Sequence, residues 1–197
     1  MRPLPFPVLA ILPLIFFIPP VVSFAVDPGG VWAEYPGILF HLAMLLLISR
    51  MRAPEWARAA GYGWITIDVL TGVLVINAVS DDLTWAVRLG GHVLAGVWIV
   101  TAALLTRWLP IRIVGALCGS FLALYSFGSA FLPEQVLYPA SPLMLTWLAL
   151  LAIRPQDSSS QDSSSQDGGG QDAGSQDAGS QDGGSSVGQV RVAEQAR

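Results

Sequence analysis

Before residue 155 the chain alternates long apolar blocks with short polar connections. The blocks run from Leu4 to Val26, Gly37 to Arg50, Gly61 to Val79, Leu83 to Thr106, Ile111 to Leu132 and Val136 to Ile153. A hydrocarbon layer takes roughly 20 apolar residues of helix to cross, so this pattern predicts six transmembrane helices. The second block would rise only about 21 Å at the α-helical 1.5 Å per residue. It is therefore expected to stand upright, thin the bilayer or draw on Trp32 to Pro36. The predicted fold class is all-α, a polytopic transmembrane helical bundle over 1–155 followed by a disordered tail.

Charge sorts itself along this frame. Asp27 and Glu34 follow the first block, Asp81 and Asp82 the third, and Glu134 the fifth. Arg50, Arg52 and Arg58 follow the second, Arg107 and Arg112 the fourth, and Arg154 the sixth. Arginine marks the cytoplasmic side of a membrane, so both termini are expected inside a prokaryotic cytoplasmic membrane, with Arg2 in agreement. Trp32, Tyr35, Trp64, Trp85, Trp108 and Tyr138 fall near predicted span ends, where amphipathic rings favour headgroups. The first block has a second reading: Arg2, an apolar stretch and "SFA" at Ser23 to Ala25 resemble a signal peptide over 1–26. Its prolines at 13, 19 and 20 predict an irregular segment in either case.

From Gln156 the composition changes to pentapeptides such as "QDSSS" and "QDAGS". Such a segment has no apolar surface to offset the cost of ordering, so 156–197 is expected to be an acidic, disordered cytoplasmic tail able to recruit a cytoplasmic protein. The chain carries no basic patch of nucleic-acid type, which argues against nucleic acid as a partner. Its single cysteine, Cys118, excludes an intramolecular disulfide.

Small residues form stripes on three blocks, and small stripes let helices approach closely in lipid. Gly61, Asp68, Thr71 and Gly72 share one face; Arg88, Gly91, His92, Ala95 and Gly96 share another; Gly115 and Gly119 form a GxxxG pattern. These glycines are the candidate packing positions, within the chain or as the seam of a homo-oligomer or of a contact with a membrane partner subunit.

Four ionisable residues lie inside predicted spans: His41, Asp68, Arg88 and His92. An ionisable group in hydrocarbon is costly by a few kcal/mol, so each is a candidate for ligand binding or proton relay. Arg88 has two expected positions: snorkelling outward to Asp81 or Asp82, or turned inward to Asp68 or His92. A carboxylate as deep as Asp68 must be protonated, paired or hydrated. For His41 and His92 the plain expectation is a neutral ring bonded to a nearby carbonyl or hydroxyl. The pair also supplies the residues of a bis-histidine haem b site, with Arg88 for a propionate. In this "HVLAG" at His92 to Gly96 is faintly similar to four-helix membrane cytochromes b. No phosphate loop, HExxH, nucleophile elbow or zinc set occurs, so no catalytic residues, metal ligands or other cofactor are assigned and an enzyme is not expected. Two function classes follow: a small transporter or permease-like protein handling an anionic or protonatable solute, or a non-catalytic membrane subunit or scaffold.

Overall fold

The computed structural model describes residues 4–27 and 29–154. The expected tail at 156–197 and Arg2 lie outside the described residues. Among the described residues there are six α-helices and no strand. They are α1 (Phe6–Val26), α2 (Glu34–Arg50), α3 (Glu55–Ile76), α4 (Asp81–Leu104), α5 (Leu109–Gly128) and α6 (Ala140–Ile153). Single 3₁₀ turns, Val31–Ala33 and Glu134–Leu137, lead into α2 and toward α6. With those turns included, all six are long and apolar enough to cross a bilayer. This is the architecture of a multi-pass membrane protein.

Element boundaries follow local chemistry more than hydropathy. The short second span does lengthen at its start: the membrane-competent stretch is Val31–Arg50, 20 residues. Helix α3 begins six residues before the apolar block, because Pro54 presets the entry and Glu55 sits in the positive first turn. The irregularity expected of the first span does not occur. Helix α1 is continuous through Pro13, Pro19 and Pro20. Each proline removes one intrahelical donor, and in a membrane helix neighbouring helices and local adjustment re-satisfy the freed carbonyls.

The helices close into a ring, each packed on its neighbours in sequence, with α6 returning to α1. Large apolar side chains point outward. On α1, Ile11, Ile15, Ile18 and Val22 recur at helical spacing and are all exposed, as are Leu39, Leu42 and Leu46 on α2. A soluble protein would bury these rows; here lipid is their solvent. The interior is built instead from small residues and aromatic rings. Phe17, Phe40, Trp64, Trp98 and Trp147 stack in series at centroid separations of 4.5, 6.3, 6.0 and 5.6 Å. This row joins α1, α2, α3, α4 and α6 across the bundle, and Trp98 and Trp147 are fully buried at its end.

Close approach depends on the predicted stripes. A Cβ on Gly96 would stand 2.5 Å from the Gly119 carbonyl oxygen, and one on Gly119 would stand 2.9 Å from the Gly96 carbonyl. The α4 and α5 backbones therefore touch, which only glycine allows. Gly115 is covered by Trp147 and Ala103. The GxxxG face is thus occupied within the chain rather than offered to a second copy.

Candidate functional site

The α2–α3–α4 seam collects every intramembrane ionisable residue that the sequence singles out. Helix α2 runs from the acid-bearing end of the bundle, α3 runs back to it and α4 leaves it again. Counting at the helical rise from that end, His41 lies about 10 Å along α2, Asp68 about 12 Å along α3 and His92 about 16 Å along α4. They meet because the seam is lined by small residues. A Cβ on Gly91 would come within 2.7 Å of Asp68 Oδ1, and one on Gly72 within 2.9 Å of Ile38 and 3.3 Å of Glu34 Oε2.

Asp68 is the centre, 4 % exposed. Its Oδ2 accepts a hydrogen bond from the Trp64 indole N–H, one helical turn away on the same helix. The same oxygen lies 3.0 Å from His41 Nε2. His41 Nδ1 lies 2.7 Å from the Gly37 carbonyl oxygen. A carbonyl only accepts, so Nδ1 carries a hydrogen. At 3.0 Å, Nε2 and Oδ2 attract only with a proton between them, borne either as imidazolium facing carboxylate or as imidazole facing carboxylic acid. Phe40 and Trp64 stand edge-on to the His41 ring, at centroid separations of 4.8 and 5.6 Å, and hold its plane.

Arg88 takes neither expected position. Its guanidinium reaches across to α2 and donates to Glu34 Oε2 at 2.7 Å. Both partners are largely but not fully covered, at 25 % and 17 % side-chain exposure. Glu34 opens α2, where the helix dipole favours an acid, and there it captures the arginine ahead of Asp81, Asp82 or Asp68. Arg88 and His92 nevertheless lie within electrostatic reach of Asp68.

Among the described residues four buried side-chain polar atoms have no hydrogen-bond partner: Asp68 Oδ1 and His92 Nδ1 here, and Trp98 Nε1 and Trp147 Nε1 along the aromatic row. Unpartnered polar atoms in a span are expensive, about 1–3 kcal/mol each, and so call for an explanation. Charge counting supplies part of one. Two carboxylates face one guanidinium and one pair-held proton, so Glu34, Arg88, His41 and Asp68 together are neutral only while that proton is present.

The haem arrangement does not fit these residues. Both ring nitrogens of His41 are engaged, by Gly37 and by Asp68, and neither is left for an iron. Among the described residues no group of three or more His, Cys, Asp or Glu could hold a metal ion. Two participants were not anticipated. Glu34 read as a loop acid, and Trp64 read as a headgroup-level ring, although it is 2 % exposed and deep in α3. The four-residue spacing from Trp64 to Asp68 was the available signal for the second.

No family model matches the chain, and neither a curated protein nor a solved structure is significantly similar to it.

Proposed function

We propose that this chain is a small permease-like protein of a prokaryotic cytoplasmic membrane, with both termini inside, that binds and releases a proton at His41–Asp68. The observation that carries the reading is the 3.0 Å approach of His41 Nε2 to Asp68 Oδ2 beside the Arg88–Glu34 ion pair, an arrangement in which one proton is shared by the histidine and the acid. Losing that proton leaves a net negative charge in hydrocarbon, which is costly unless another cation takes its place. Such a site favours exchange of the proton for a cationic or protonatable solute and disfavours an anion. Asp68 Oδ1 and His92 Nδ1 are the polar atoms available to the incoming group. Arg88 and Glu34 hold the seam above them.

A pH step applied to the protein in bilayers tests this by difference infrared spectroscopy. The expected result is a carboxyl band that appears with the step and is absent in Asp68→Asn. A spectrum unchanged by that substitution in a folded protein overturns the reading.

The His41–Asp68 contact also joins α2 to α3, which favours a second reading, a membrane subunit or scaffold in which the polar groups only lock the two helices together. Under it Asp68→Asn loses the fold, not a proton, and size-exclusion chromatography separates the two.

A further inference from the structure

The opposite end of the bundle carries a different kind of site. Where α2 ends and α3 begins, Ser49, Arg50, Met51, Arg52, Ala53 and Arg58 line an open recess of about 620 Å³, closed on one side by Leu105 at the end of α4. Three arginines line this recess, and none of them forms an ion pair with a carboxylate among the described residues. Glu55 is next in sequence, exposed in the first turn of α3, and does not line it. Arg50 and Arg52 are exposed and Arg58 is half-buried, so solvent screens their mutual repulsion, and an anion bound among them would relieve what remains.

We infer that this recess binds the phosphate-bearing headgroup of an anionic phospholipid. Location supplies the first argument: the recess sits at the end of the spans, at headgroup level, whichever side of the membrane that is. Exposed Trp56, at 61 %, lies in the first turn of α3, two residues before Arg58, as expected of a ring at the interface, and exposed Leu104 and Leu105 at the end of α4 offer apolar surface for acyl chains. Chemistry supplies the second. Guanidinium forks match phosphate oxygens in pairs, and basic pockets between membrane helices are suited to phosphorylated headgroups. This site is independent of the His41–Asp68 pair, and its failure would leave the proposal above untouched.

The test uses the full chain in nanodiscs of phosphatidylcholine with or without phosphatidylglycerol, reading lipid retained in native mass spectrometry and the thermal midpoint. Expected is a preference for phosphatidylglycerol of about tenfold, the equivalent of 1.4 kcal/mol. Arg50→Gln with Arg52→Gln and Arg58→Gln should abolish it. The matching triple lysine variant keeps charge and topology but loses the fork, and should reduce the preference severalfold. Arg107→Gln with Arg112→Gln, at the same end but outside the recess, should leave it intact. Equal retention of both lipids by the unmodified protein overturns the inference. So does a midpoint raised by inorganic phosphate alone with no gain from phosphatidylglycerol, which would mark a soluble-anion site.

Discussion

At the residue scale, Asp68 shows how a carboxyl group persists in a span: one oxygen takes two partners while the other has none. Removing one partner of a buried pair leaves an uncompensated group, an effect of about 3–5 kcal/mol. His41→Ala should therefore destabilise the bundle by roughly 3 kcal/mol in unfolding from detergent micelles. Replacing both, His41→Leu with Asp68→Leu, should cost much less than the sum of the single changes, because no orphan remains. Additive losses would mean that the two side chains do not interact. Arg88→Ala, at a pair closer to the rim, should cost less than His41→Ala, about 1 kcal/mol, because water screens a partly exposed ion pair. The sequence made the four ionisable residues visible, since hydropathy isolates each one. Their pairing was not legible: Arg88 had three candidate acids by depth, and choosing Glu34 requires the rotation of α2 about its axis, which no local pattern records.

At the scale of elements, the helices pack through their smallest residues and present their largest to lipid. The α4–α5 contact makes the sharpest prediction. Gly119→Ala forces a methyl group against the Gly96 carbonyl and Val100, and should destabilise by about 1–3 kcal/mol, as overpacking does. Gly90, one residue before the buried stripe, has nothing within 4 Å of its Cβ direction. Gly90→Ala should be neutral or stabilising by up to about 1 kcal/mol through helix propensity. The reverse order in thermal midpoints would contradict the seam. The glycine stripes were readable from spacing, as was the number of spans. What spacing did not reveal was the partner of the GxxxG face, because a small surface fits a helix of the same chain as well as one from another copy. Nor did counting prolines foretell a continuous α1, since its neighbours compensate for donors that proline removes.

For the molecule over its described residues, the six spans place most acids at one end and most arginines at the other, Glu55 and Arg88 being the exceptions, and each end has a distinct chemistry: the His41–Asp68 pair near one, an arginine recess at the other. Sequence resolved this polarity because the net charge of the connections alternates in sign. Cysteines placed singly at Asp81 and at Arg107 should label from opposite faces of sealed vesicles with an impermeant maleimide, and labelling from one face would refute the six-span thread. The account depends above all on a proton held between His41 and Asp68 inside that thread. Nitrogen-15 magic-angle-spinning NMR of histidine-labelled protein in bilayers reads it directly. The predicted spectrum has a protonated Nδ1 on His41 and an Nε2 resonance that shifts when Asp68 is replaced by Asn. An Nε2 resonance indifferent to Asp68→Asn, in a protein that remains folded, would contradict it.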